Sequence, residues 1–212
     1  MIWTYTDLKK WMDSGCSQDV ADTVQTLDLH DNNLTVLPDC VGQLSNLKSL
    51  CLYQNKLTTL PEWVGQLVNL ERLDLCDNKL TTLPECVGQL ANLKTLYLNG
   101  NKLTTLPECV GQLVNLERLI LNRNNFSTLP ECVGQLVNLK WLNLSDNKLT
   151  MFPEWVGQLA NLKTLGLCDN KLTTLPECVG QLVNLKWLYI RNNPFSSLPD
   201  YCKSSTTIVA EI

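Results

Sequence analysis

Asparagine returns at one fixed interval along this chain, at Asn32, Asn55, Asn78, Asn101, Asn124, Asn147, Asn170 and Asn193, each 23 positions after the last. Such a period constrains the fold more than composition does, because each copy is a small unit that buries its apolar face only against its neighbours. One copy reads Leu70, Leu73, Leu75, Asn78, Leu80, Leu83, Pro84, Val87, Gly88, Gln89, with mostly polar residues between. Leu73 and Leu75 alternate with Asp74 and Cys76, the period of a short strand with one buried face. So short a strand is unstable alone. Eight of them, stacked in parallel about 4.8 Å apart, make a sheet roughly 34 Å long. Leu80 and Leu83 turn the chain inward again, Pro84 stops strand pairing, and Val87, Leu90 and Leu93 anchor the return arm. Gly88 is expected to permit a tight turn.

The Asn column has a physical reason. Where each strand turns away, backbone groups lose their ladder partners, and a buried amide both donates to and accepts from them. Leaving one such group unpaired costs about 1–3 kcal/mol. Asn101, mid-stack, is therefore expected to hold more stability than Asn193 near the end.

The whole pattern, Leu-x-x-Leu-x-Leu-x-x-Asn-x-Leu-x-x-Leu-Pro-x-x-Val-Gly-Gln, resembles the leucine-rich repeat family over roughly residues 24–202. Within that family it is similar to the intracellular 23-residue type of Ras-suppressor, plant intracellular Ras-group and many bacterial proteins. The resemblance implies an α/β solenoid: a right-handed horseshoe with a parallel concave sheet of about eight short strands and irregular or 3-10 convex segments. It also implies a non-enzymatic scaffold or inhibitor that binds a protein on its concave face, with a small GTPase or other signalling protein among the partner classes. Residues 1–23 read as an N-terminal helical cap, 24–202 as eight repeats, and 203–212 as a C-terminal tail, cap or final extended segment. In the first of these, residues 4–14 read as a helix with Thr6 as N-cap, Leu8, Trp11 and Met12 on one face, and Gly15 at its end. At the other end Pro194 breaks the last copy, and Phe195, Leu198 and Tyr201 are placed to close the core.

A net charge of −4 and a pI near 5.0 argue against nucleic acid or an anionic membrane as the main partner. No apolar run approaches the roughly 20 residues of a membrane span, and the first ten residues lack the build of a secretory signal. Five of the ten cysteines, Cys40, Cys86, Cys109, Cys132 and Cys178, share a position that Trp63, Trp155 and Tyr201 fill in other copies, which reads as a semi-buried slot. An odd column without a Cys-rich cap points to free thiols in a reducing, cytoplasmic setting. His30 is the sole histidine and no Cys-x-x-Cys occurs, so no metal site or cofactor is expected. No set of side chains with nucleophile and base spacing is present, and no enzyme is expected.

The repeats supply an internal comparison. Lys56, Lys79, Lys102, Lys148 and Lys171 form one constant column and Glu62, Glu85, Glu108, Glu131, Glu154 and Glu177 another, both read as solvated framework. The outward strand positions vary instead. The first runs Thr26, Ser49, Arg72, Thr95, Arg118, Trp141, Thr164, Trp187; the second runs Asp28, Cys51, Asp74, Tyr97, Ile120, Asn143, Gly166, Tyr189. Tyr97, Arg118, Ile120, Arg123, Trp141, Trp187, Tyr189 and Arg191 concentrate toward the C-terminal half, and Trp, Tyr and Arg dominate binding hot spots. These eight are the candidate protein-binding residues, with Arg118 and Trp141 placed to stack. The N-terminal half, with Asp28, Asp31, Asp74 and Asp77 around Arg72, reads as more polar. An extracellular recognition module is the alternative, though the triplets at Asn33, Asn125 and Asn143 that resemble glycosylation acceptors follow from repeat residues.

Overall fold

The computed structural model describes residues 1–197 and 199–201, and the backbone of 209–211. Each copy contributes one three-residue strand: β2 (Thr26–Asp28), β3 (Ser49–Cys51), β4 (Arg72–Asp74), β5 (Thr95–Tyr97), β6 (Arg118–Ile120), β7 (Trp141–Asn143), β8 (Thr164–Gly166) and β9 (Trp187–Tyr189). They pair in parallel and in chain order, so the central leucines Leu27, Leu50, Leu73, Leu96, Leu119, Leu142, Leu165 and Leu188 are register partners, all fully buried.

The sheet has ten strands among the described residues, two more than the repeats supply. One is β1 (Ile2–Thr4), in which Trp3 pairs with Leu27 and stands in for the buried leucine. The other is β10 (Val209–Glu211), an extended segment paired with β9. Repeat spacing could not announce either strand, since neither carries the Leu/Asn signature.

After each of β2 to β8 the chain reaches a Pro with extended backbone and enters a five-residue 3-10 segment, such as Glu85–Gln89 after Pro84. Its valine is buried in every coil, from Val41 to Val179. The glycine behind that valine serves a purpose other than the tight turn expected of it. A Cβ added to Gly88 would lie 2.7 Å from the Cβ of Cys109, so glycine is required by the approach of the next coil.

Positive φ occurs elsewhere, at the residue just before each repeat Asn: Asp31, Gln54, Asp77, Gly100, Arg123, Asp146, Asp169 and Asn192. In this left-handed region Asp, Asn and Gly are the tolerated types, which explains the aspartates of this column without any electrostatic task.

The Asn side chains then bind two coils together. Asn101 donates from Nδ2 to the carbonyls of Leu75 and Leu98 at 2.9 and 3.0 Å, and its Oδ1 accepts from the N–H of Leu80 at 3.0 Å. Asn193 keeps the same set with Leu167, Ile190 and Leu172, so the weak member is not at that end. It is Asn32, whose described side-chain bond is to its own coil at the His30 carbonyl. A second ladder runs along the return arm, where Asn92, Asn115 and Asn138 each donate to a carbonyl of the preceding coil at 2.8–2.9 Å.

At the N-terminus α1 spans Tyr5–Asp13. Its cap is Thr4 rather than Thr6: the Asp7 carboxylate accepts from the Thr4 N–H and hydroxyl, an arrangement equivalent to a capping box. Leu8 and Trp11 are buried against the first coil, Trp3 and Trp11 pack with ring centroids 5.4 Å apart, and Met12 faces solvent instead of sharing that face. A short helix, α2 (Gln18–Ala21), follows and buries Ala21. At the other end Phe195 and Tyr201 pack against the core, while Leu198 lies outside the described residues.

Candidate protein-binding face

Strict register turns the outward strand positions into columns. Arg118, Trp141, Thr164 and Trp187 are successive partners on β6 to β9, and Tyr97, Ile120, Asn143, Gly166 and Tyr189 form the neighbouring column from β5. Trp141 and Trp187 are 41% and 43% exposed, an unusual state for so large an apolar ring, and two strand spacings set their backbones roughly 10 Å apart. Between them β8 carries only Thr164 and Gly166, both buried by their neighbours. A Cβ on Gly166 would sit 2.6 Å from Asn143 Oδ1, so that position accepts no larger residue without displacing Asn143.

The Arg118 guanidinium stands 5.4 Å from the Trp141 ring centre, a stacked contact worth about 0.5–1 kcal/mol at an exposed site. Ile120 is half-buried on the Arg118 strand, Tyr189 is half-buried on the Trp187 strand, and Arg191 is exposed. Neither Arg118 nor Arg191 has a carboxylate partner among the described residues. Arg123 holds φ at 57°, where its column otherwise has mostly Asp, Asn or Gly, and its guanidinium lies 3.6 Å from Asp77 with both side chains largely exposed. A pair that open adds little stability, so an arginine here is strained without local compensation.

Tyr97 departs from this group. The Arg72 guanidinium lies 4.5 Å from its ring centre and donates to its hydroxyl at 3.4 Å, while the same arginine pairs with Asp74 at 2.9 Å. Tyr97 therefore belongs to a self-contained cluster of the N-terminal half. A second cluster there escaped sequence reasoning: His30 stacks on Tyr53 at 4.9 Å with planes 2° apart and bonds Asp28 at 2.7 Å. The signal was available, since His30 and Tyr53 share one outward position on adjacent coils. Burial works against the charge on Asp28, yet hydrogen bonds from His30 hold its carboxyl below the usual range.

Behind the sheet, Cys86, Cys109, Cys132 and Cys178 lie in successive or near-successive coils, and no disulfide joins two cysteines among the described residues. Cys86, Cys109 and Cys132 are buried outright, so the slot expected to be semi-buried is closed in the central coils. Burial pushes the thiols of Cys109 and Cys132 up to about 12 and about 11.

Sequence models of the leucine-rich repeat match residues 22–80 and 91–149, two-copy repeats match 68–108, and a leucine-rich repeat region matches 127–208. The chain belongs to the leucine-rich repeat family. Among solved leucine-rich repeat structures, a Leptospira interrogans protein is 35% identical over 100% of this chain and 58% of its own length, with a TM-score of 0.82. The ectodomain of the Arabidopsis thaliana membrane receptor kinase GASSHO1/SCHENGEN3, in complex with Casparian strip integrity factor 2, is 30% identical over 91% of this chain and 24% of its own, with a TM-score of 0.78. A chain of the Drosophila Toll–Spätzle complex is 28% identical over 92% and 27%, with a TM-score of 0.80. This repeat array thus spans 58% of the length of the first of these and about a quarter of the other two. No curated protein sequence matches it.

Proposed function

We propose that this leucine-rich repeat array is a non-enzymatic scaffold or inhibitor that grips one protein partner through the C-terminal half of its strand face. The observation that carries the reading is the pair of exposed indoles at Trp141 and Trp187, flanked by Arg118, Ile120, Tyr189 and Arg191 on a rigid sheet. Arg118 and Arg191, which make no ion pair among the described residues, favour a partner surface that presents carboxylates beside apolar side chains. Small GTPases, suggested by the likeness to Ras-suppressor and Ras-group proteins, are the first class to test. Free thiols pushed toward their neutral form favour a reducing compartment, which makes cytoplasmic residence part of the proposal.

Affinity capture from the native source tests it. Wild-type protein retains a partner, and Trp141→Ala/Trp187→Ala loses it while keeping its melting temperature. Retention by the double variant would move the site off this face. The receptor kinase ectodomain among the structural relatives supports extracellular recognition as the second reading, and counting free thiols in protein from its native source separates the two: mostly oxidised cysteines would favour the receptor role.

A further inference from the structure

One coil also breaks the framework away from the strand face. Where the other copies carry Thr, Val or Ser followed by Leu before the proline, this one has Met151 and Phe152, and Trp155 follows in a column whose immediate neighbours are Cys132 and Cys178. Met151 is 68% exposed, Trp155 is half-buried, and Phe152 is buried beneath them. With Leu129, Glu131 and Glu154 they line a groove of about 950 Å³ across three coils.

Trp63 fills the same column position in an earlier copy and shows what differs. Its indole N–H donates to Asp39, the acid one coil back, at 3.2 Å. The corresponding acid for Trp155 is Glu131, and that bond is not made among the described residues. Both the Trp155 N–H and the Glu131 carboxylate therefore face outward without a protein partner. Glu154 has no ion pair either, Glu108 and Glu177 continue the acidic column on either side, and no lysine or arginine lines the groove.

We propose that this groove is a second docking site, independent of the strand-face reading, for an extended segment of a partner protein that carries arginine or lysine beside a bulky apolar residue. The apolar side chain lies on Met151, Phe152 and Trp155. The cation lies against the Trp155 ring and between the carboxylates of Glu131 and Glu154, where opposite charge and the ring face both attract it.

Titration with the peptide acetyl-Arg-Leu-Arg-Leu-amide, read by NMR at the Met151 methyl and the Trp155 indole N–H, tests the site. The expected result is saturable shifts at both groups and none at the Trp141 or Trp187 indole. Affinity should fall at least tenfold for Glu131→Gln/Glu154→Gln and for a peptide with Asp in place of Arg. Reverting the coil to its neighbours' residues with Met151→Thr/Trp155→Cys should abolish binding in calorimetric titration, with the fold intact as read at unshifted Trp141 and Trp187 signals. Equal affinity for the acidic peptide, or unchanged affinity in the reverted variant, would overturn the proposal. So would self-association of the protein that the reverted variant removes, because the occupant would then be a second copy of this chain.

Discussion

The two halves of the strand face share one backbone and one register, yet they treat their polar and aromatic side chains in opposite ways. In the N-terminal half these groups satisfy one another: His30 lies on Tyr53 and bonds Asp28, and Arg72 reaches both Asp74 and Tyr97. In the C-terminal half Arg118 stacks on Trp141, yet both tryptophans stand exposed, and Arg118 and Arg191 make no ion pair among the described residues. A solenoid fixes positions but not partners. On the proposed reading, a surface is marked for binding by groups whose interactions are left incomplete, rather than by the presence of aromatics or arginines.

The largest effect expected from this difference is on binding. Each exposed tryptophan on the C-terminal half should contribute at least about 2 kcal/mol, so Trp141→Ala/Trp187→Ala weakens the partner by several hundredfold in calorimetric titration. His30→Ala/Tyr53→Ala should change it less than about threefold, since those rings are already paired.

Stability should divide along the stack as well. Asn101→Ala strands a buried N–H and two carbonyls and is expected to cost at least about 2 kcal/mol in urea unfolding, against less than about 1 kcal/mol for Asn32→Ala. Comparable losses would mean that the ladder does not carry the coil-to-coil coupling assigned to it.

Arg123→Gly tests whether the C-terminal half retains a strained residue for use. Relief of the left-handed backbone should raise stability by about 0.5–1 kcal/mol while partner affinity falls. A stability gain with unchanged affinity would remove Arg123 from the site.

The smallest effect belongs to the thiols behind both halves. Burial raises Cys132 from 9.0 to about 11 and Cys109 to about 12. A thiol whose folded pKa exceeds its unfolded one contributes fully below pH 9 and loses that contribution as pH rises through the folded value. The fall in melting temperature between pH 9 and pH 11 should therefore be shallower in Cys86→Ala/Cys109→Ala/Cys132→Ala than in the wild type.

Much of this architecture was legible because it repeats. The 23-residue spacing alone places Leu73, Leu75 and Asn78 in their roles, and it sets Arg118 beside Trp141. What it missed lies outside the period or depends on backbone angle. β1 carries no repeat signature, β10 realises the extended segment offered among the readings of 203–212 without the period fixing it, Thr4 took the cap because Asp7 reaches back to it, and the aspartates before Asn32, Asn78, Asn147 and Asn170 answer to positive φ. The column also put Tyr97 among the open aromatics, because sequence spacing says which side chains are near one another but not which have closed on each other. Trp63 and Trp155 make the same point, occupying one position with and without the acid bond.

The most direct measurement is hydroxyl-radical footprinting of the protein alone and bound to its captured partner. Trp141, Trp187 and Tyr189 should oxidise readily in the free protein and become protected in the complex, with Tyr53 unchanged. Protection of Tyr53 with continued oxidation of Trp141 and Trp187 would contradict the account.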